Sequence, residues 1–237
     1  MKNCVLIALA FASAAWAVEY KTVPPPEGAV VLFEGGEKHD LSKWKSGKLN
    51  KDGYLVAGAT TKDTFGSIVL HLEFNSPKPA EGKSNPGNSG VYIQGRYEIQ
   101  ILDTQKGKPQ KGGCAAIYQF KPADSNETAP RGEWQQYVIF FQAAKWDTSD
   151  KAKPKKTDNV RITVFHNGVK VHDNVDVPRK TGHGQAEAPN PQAIYLQNHG
   201  WPVAYRNVWV LPYEKDDDPR VKALLDQLTA ADPKKGK

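Results

Sequence analysis

Acid–base-capable side chains concentrate in one stretch of the chain. Residues 88–103 read Asn-Ser-Gly-Val-Tyr-Ile-Gln-Gly-Arg-Tyr-Glu-Ile-Gln-Ile-Leu-Asp. In an extended chain successive side chains alternate, so Arg96, Glu98 and Gln100 share one face and Tyr97, Ile99 and Ile101 the other. The apolar set suits a core, which leaves the polar set for solvent or a cleft. Asp103 falls on the core side unless a β-bulge inserts one residue, and with such a bulge it converges with Glu98. Paired carboxyl groups on a concave sheet are what glycosidic-bond chemistry uses. Asn88 and Gln94 add amides able to bind a polar substrate. The alternative is a solvated strand face closed by an Arg96–Glu98 contact.

A second cluster is Gln197-Asn198-His199-Gly200-Trp201-Pro202, with Arg206 just after. An imidazole on a tight loop beside an indole can serve as acid, base or metal ligand, or can be an inert loop residue. His183 lies between Gly182 and Gly184 and is a lid residue or nothing. Trp44 and Trp146 could stack a sugar, or could be aromatic edges of the core. Cys114 has no base nearby in sequence and reads as a small buried hydrophobe. No close His/Asp/Glu spacing fixes a metal site, and no nucleophile elbow, phosphate loop or dinucleotide fingerprint occurs.

These side chains must be positioned by strands. Gly (20) and Pro (17) with abundant aromatics favour many short strands over long helices. Residues 67–74 alternate with period two: Ile68, Leu70, Leu72 and Phe74 on one face, Ser67, Val69, His71 and Glu73 on the other. Residues 161–172 carry Asn167-Gly168 between two apolar runs, which predicts a type I′ hairpin. Further strands are expected at 30–33, 54–57, 90–103, 135–142, 193–197 and 204–212. The series predicts an all-β sandwich of two antiparallel sheets without an internal domain boundary. Only the end looks helical: Asp218 can cap, Pro219 suits the first helical position, and Val221, Leu224, Leu225 and Leu228 form a stripe.

The amino terminus has a positive start, an apolar run over residues 4–15 and Ala15-Trp16-Ala17, the pattern of a signal peptide cleaved after Ala17. A periplasmic or secreted location follows, without membrane insertion after cleavage. Residues 18–27, with three consecutive prolines, read as an extended lead-in, and 214–237 as a helix with a charged tail. The formal charge is +6. Its excess sits in Lys145, Lys151, Lys153, Lys155 and Lys156 and in Lys234, Lys235 and Lys237, loop and tail positions without a recognition element, so no nucleic-acid partner is expected.

At the two polar clusters the sequence resembles the 3-keto-disaccharide hydrolase domain family. The match runs over residues 28–213, through 87–103, Leu70-His71-Leu72-Glu73-Phe74, Gly113-Cys114-Ala115-Ala116-Ile117-Tyr118, Gly132-Glu133-Trp134-Gln135, Val164-Phe165-His166-Asn167-Gly168-Val169, Leu196-Gln197-Asn198-His199-Gly200 and Tyr205-Arg206-Asn207-Val208-Trp209-Val210. The resemblance implies a concanavalin-like jelly roll akin to family-16 β-glucanases, whose catalytic strand reads Glu-x-Asp-x-x-Glu. Here those positions read Glu98-x-Gln100-x-x-Asp103, which departs from a retaining mechanism. It also implies a small-molecule carbohydrate partner and cleavage of 3-keto-glycosides. A ketone at C3 acidifies the C2 proton, so a base can form an enediolate, the C1–O bond breaks by elimination, and water can add back. On that implication His199 or Glu98 is the base, with Asp103 or Glu73 as acid. Arg96, Gln100 and Arg206 hold the sugar together with Asn88, Gln94, Gln197 and Trp201. Arg96 is the preferred stabiliser of the enolate oxygen, a role that a bound divalent cation could take instead. The rival is a non-catalytic, lectin-like carbohydrate-binding sandwich.

Overall fold

The alternating segment at residues 67–74 becomes the centre of the larger sheet. In the computed structural model, which describes residues 20–78, 87–104 and 107–236, thirteen strands and one helix are formed. The strands are β1 (Val30–Phe33), β2 (Leu55–Val56), β3 (Ala59–Thr60), β4 (Ser67–Asn75), β5 (Ser89–Ile93), β6 (Tyr97–Ile101) and β7 (Trp134–Gln142). They continue as β8 (Lys145–Asp147), β9 (Lys155–Asp158), β10 (Val160–His166), β11 (Val169–Val177), β12 (Tyr195–Leu196) and β13 (Ala204–Tyr213), followed by α1 (Pro219–Ala231). The expected signal peptide lies outside the described residues. Among those described, no helix is long and apolar enough to cross a membrane.

One sheet runs β1-β13-β4-β7-β10-β11, with β2 added on β13, and the other runs β3-β12-β5-β6. All their pairings are antiparallel. Period-two alternation decides what fills the space between them. Ile68, Leu70, Leu72 and Phe74 of β4 meet Val91, Ile93, Tyr97, Ile99 and Ile101 of β5 and β6 in one buried core. Each such side chain removed from water contributes about 1.5–3 kcal/mol. Tyr137 of β7 ties the layers together: its hydroxyl donates to the Gln100 carbonyl (2.8 Å) and accepts from the Ala115 amide (2.9 Å). Cys114 is buried against the same hydroxyl, and burial raises its thiol pKa.

The outer face of the larger sheet is covered too. Asp218 caps α1 by accepting from the Arg220 amide, Pro219 opens it, and Val221, Leu224 and Leu228 are buried against Val69, Phe140 and Leu211. Val23 of the lead-in packs into this second cluster, and the Trp209 indole donates to its carbonyl (3.1 Å). The 161–172 hairpin forms as expected, with Asn167 and Gly168 at φ 51° and 82°. One expectation changes, and one alternative is decided. The lysine-rich insertion is a paired hairpin, β8–β9, hidden from period-two reasoning because almost nothing in it alternates to a core. Lys156 also reaches out of it to the Glu187 carboxylate (2.8 Å). Trp44 is a core residue whose indole donates to the Leu32 carbonyl (2.9 Å).

Candidate functional site

The smaller sheet turns its polar side outward. Gly90, Tyr92, Glu98 and Gln100 alternate with core residues, and the register sets Tyr92 opposite Glu98 and Gly90 opposite Gln100. Tyr195 of β12 lies beside Tyr92, their rings 6.1 Å apart, and Gln197 continues alongside Gly90 through a 2.8 Å backbone hydrogen bond. Together with Lys45, Thr60, His183 and Gln185, residues Tyr92, Tyr195, Gln197 and Asn198 line a cleft of about 550 Å³. A larger hollow of about 840 Å³ sits at the start of α1. It has an Arg220–Asp218 ion pair and no unpaired buried group, so it offers structure rather than chemistry.

Glu98 lies just behind the cleft wall and is 1% exposed. Its carboxylate folds back over Gly90, where a Cβ would stand 2.1 Å from Oε1. Burial pushes its pKa up to about 7, partly opposed by a hydrogen bond from Tyr92. The Tyr92 hydroxyl also approaches the Gly182 carbonyl (3.4 Å). Burial and the neighbouring Glu98 carboxylate hold that phenol well above its usual pKa. Glu98 Oε2, Gln100 Oε1 and Gln197 Oε1 are buried acceptors without a partner among the described residues. Unsatisfied buried acceptors of this kind want donors, which sugar hydroxyls would supply. Among the described residues no group of three or more His, Cys, Asp or Glu could hold a metal ion.

The cleft is roofed by residues 178–190. Arg96, expected in the strand with Glu98, instead sits in the β5–β6 turn, because Gln94 and Gly95 adopt positive φ and β6 begins at Tyr97. Its guanidinium donates to the Ala186 carbonyl (2.9 Å), the Asn190 carbonyl (2.8 Å), Asn190 Oδ1 (2.8 Å) and Gln94 Oε1 (3.2 Å). Its donors are thus committed to the roof. Gln94 is likewise occupied, donating to the Phe65 carbonyl (3.0 Å). Thr181 Oγ1 accepts from the Glu98 amide (2.9 Å), so the roof touches β6 directly.

The remaining expected residues are scattered. No bulge carries Asp103 to Glu98: β6 ends at Ile101, and Asp103 pairs with Arg131. Glu73 and Arg206 lie on the far side of the other sheet, paired with each other at 2.6 Å. Glu73 is further held by Asn207 (3.0 Å) and Thr22 (2.7 Å), and Arg206 lies 4.1 Å over the Trp134 ring. His199 is exposed on the 198–200 turn, outside the cleft lining. Trp201 packs against the core, and Asn88 is half-buried at the start of β5. Sequence reasoning missed Tyr92 and Gly90. Their signal was their place two and four residues before Gln94 on the face that Glu98 shares across the pair.

The fold is a jelly-roll sandwich like those of glycosyl-hydrolase-like proteins, and the family to which the chain belongs supports a carbohydrate-active role. More particularly, the chain belongs to the 3-keto-alpha-glucoside-1,2-lyase-like domain family, whose model matches residues 28–211. A structure from Parabacteroides distasonis ATCC 8503, provisionally called a glycosyl hydrolase, is similar at 28% identity with a TM-score of 0.68, covering 82% of this chain and 94% of that one. A second structure from that organism, with the same provisional description, shares 23% identity and a TM-score of 0.51 over 78% of this chain and 99% of its own. At that identity it speaks to the fold alone. No curated protein matches.

Proposed function

We propose that the protein cleaves 3-keto-glycosides by elimination across C1 and C2, with Glu98 and Tyr92 removing the C2 proton. The observation that carries this reading is one buried carboxylate set directly opposite a phenol that lines a polar cleft. A ketone at C3 makes the C2 proton acidic enough for a base poised near neutrality. The C2 proton passes to the Tyr92 oxygen as the Tyr92 proton passes to Glu98. The C–H electron pair becomes the enediolate, and its collapse expels the C1 oxygen. Gln197 in the cleft lining and Gln100 opposite Gly90 carry unpaired acceptor oxygens that suit sugar hydroxyls. The family supports the reading through its lyase-like description. Water adding back across the double bond would make the net reaction a hydrolysis. An exported location, with the signal cleaved after Ala17, belongs to the same proposal.

The test is Glu98→Gln and Tyr92→Phe assayed on a 3-keto-glucoside and on 3-keto-trehalose, with His199→Ala alongside. A general base contributes on the order of 10²–10⁴-fold. Losses of that order in Glu98→Gln, with binding retained, support the mechanism. Unchanged rates in Glu98→Gln and Tyr92→Phe would remove it. Sugar binding without turnover in the wild type would favour the lectin-like reading, for which the Tyr92–Tyr195 pair offers a stacking surface.

A further inference from the structure

We propose that His183 is the general acid that protonates the leaving glycosidic oxygen, an assignment that rests on the elimination reading above. His183 occupies the turn of the roof that presses on β6. The Thr181 amide donates to the Arg96 carbonyl (3.0 Å), the Gly184 amide to the Thr181 carbonyl (3.2 Å) and the Gln185 amide to the Gly95 carbonyl (2.9 Å). At Gly184 a side chain would meet backbone, whereas at Gly182 it would meet the movable end of Gln119. A Cβ on Gly182 would stand 2.3 Å from Gln119 Oε1, and one on Gly184 would stand 2.2 Å from the Arg96 carbonyl oxygen. The turn is wedged between those neighbours, not the mobile loop its glycines suggest in sequence.

His183 itself has φ 58°, the left-handed region, which costs a side chain with a Cβ roughly 1–2 kcal/mol. Gly or Asn would occupy that backbone with less strain, and His enters it more readily than most other side chains do. Its ring stacks on Tyr118, 6.3 Å between centroids at 29°, and lines the cleft with Tyr92, Tyr195 and Gln197. No other imidazole lines that cleft among the described residues. The adjoining Gly182 carbonyl is the group that Tyr92 approaches, so the imidazole and the Glu98–Tyr92 pair border one space.

This placement completes the reaction. As the C1–O bond breaks and its electron pair leaves with the oxygen, an imidazolium N–H of His183 donates its proton to that oxygen. The C2 proton ends on Tyr92 and the former Tyr92 proton on Glu98, the product carries the new C1=C2 double bond, and Glu98 and His183 return to their starting states by exchange with water. No oxidant or reductant is consumed.

The experiment uses His183→Gly, which suits the positive φ, with His183→Asn as a second variant that also tolerates it. Each is assayed on a 3-keto-glucoside with an alkyl leaving group and on one with a nitrophenyl leaving group. A general acid predicts a loss on the order of 10²–10⁴-fold in kcat for the alkyl substrate. It predicts a far smaller loss for nitrophenolate, which needs no proton to leave, and partial rescue of the glycine variant by added imidazole. Equal losses on both substrates without rescue would make His183 a positioning residue, and unchanged kcat on the alkyl substrate would dismiss it. Either result leaves the elimination standing if Glu98→Gln is inactive. A wild-type protein that leaves both substrates intact would remove both readings.

Discussion

Gly90 and Glu98 sit on neighbouring strands and compete for one space: a Cβ on Gly90 would lie 2.1 Å from Glu98 Oε1 and 2.9 Å from its Cδ. Gly90 is not among the positive-φ glycines, so its backbone would accept an alanine and the conflict falls on the carboxylate alone. The glycine therefore sets where Glu98 points. Gly90→Ala should lower kcat by about tenfold or more by turning Glu98 off Tyr92. The fold should survive, since overpacking of this kind costs about 1–3 kcal/mol. Steady-state kinetics beside a thermal melt checks this, and an unchanged kcat with an unchanged melt would show that Glu98 needs no such room.

Glu98 should also leave a signature in stability. Burial raises its folded pKa to about 7 from an ordinary 4.5, so the folded state holds a proton that the unfolded chain has lost between those values. Stability is then greatest below pH 4.5 and falls as pH rises toward 7, by about 3 kcal/mol in all for a shift of this size. Glutamine mimics the protonated acid at every pH. Glu98→Gln should therefore melt higher than wild type at pH 8 and alike at pH 4.5, while losing activity. Denaturant titrations at the two pH values measure the difference, and equal stability at pH 8 would mean that Glu98 is not desolvated.

His166 and His172 give the opposite slope. Burial holds their folded pKa values down to about 3 and about 4, so both stay neutral in the fold while the unfolded chain protonates them. Stability from these two is present above pH 6.5 and is lost as pH falls through the interval below it. His172 donates its Nε2–H to the Ala115 carbonyl (2.8 Å), its buried Nδ1 having no partner among the described residues, and His166 donates its Nε2–H to Gln135 Oε1 (3.0 Å), so a neutral ring makes each contact. His166→Gln should shallow the loss of stability between pH 6.5 and pH 5. An unaltered acid limb in denaturant melts would place that loss elsewhere.

How much of this was legible in the sequence follows from what alternation can and cannot encode. Alternation, apolar runs and turn signals located β4, β5, β6, β10 and β13, and alternation put Ile99 and Ile101 in the core, because burial on one face writes itself into residue type. Asp218 and Pro219 announced α1 for an equally local reason. Arg96 went astray because turn geometry, set by positive φ at Gln94 and Gly95, cut it out of the strand. Glu73 has the same alternating signature whether its face meets a cleft or a strap, so only the tertiary structure separates it from Glu98. His183 and His199 are alike in sequence, each beside a glycine, and differ by which loop folds over β6.

Arg96 is the hinge pin of the roof. At 3% exposure it places three donors on Ala186 and Asn190 in a planar fork, a geometry that an ammonium cannot reproduce. Arg96→Lys should cost about 3 kcal/mol, since hydrogen bonds to a charged group contribute about 1.5–3 kcal/mol each and a part is retained. The loss should be local as well as global. Protease cleavage within 178–190 should precede general unfolding in the variant, and KM should rise more than kcat falls. Cleavage at the wild-type rate with normal KM would show that Tyr97, Lys156 and Glu187 hold the roof without it.

Glu73 is the counterpart of Glu98 on the opposite side of the molecule. Desolvation acts to raise its pKa, but hydrogen bonds from Asn207, Thr22 and Arg206 outweigh it and leave the carboxyl below its ordinary value. A depressed carboxylate stabilises the fold above its unfolded pKa and loses that contribution as pH falls through the folded one, the reverse of Glu98. Thr22 belongs to the lead-in, whose Lys21 carbonyl accepts from Gln136 (3.1 Å), so Glu73 also pins that segment to the sheet. Glu73→Ala leaves the partly buried Arg206 without its partner and should cost about 3 kcal/mol near neutrality. It should also expose residues 20–23 to hydrogen exchange, with little change in kcat measured well below the melting temperature. A folded Glu73→Ala protein with kcat reduced a hundredfold would instead return Glu73 to the chemistry and move the site to the other sheet.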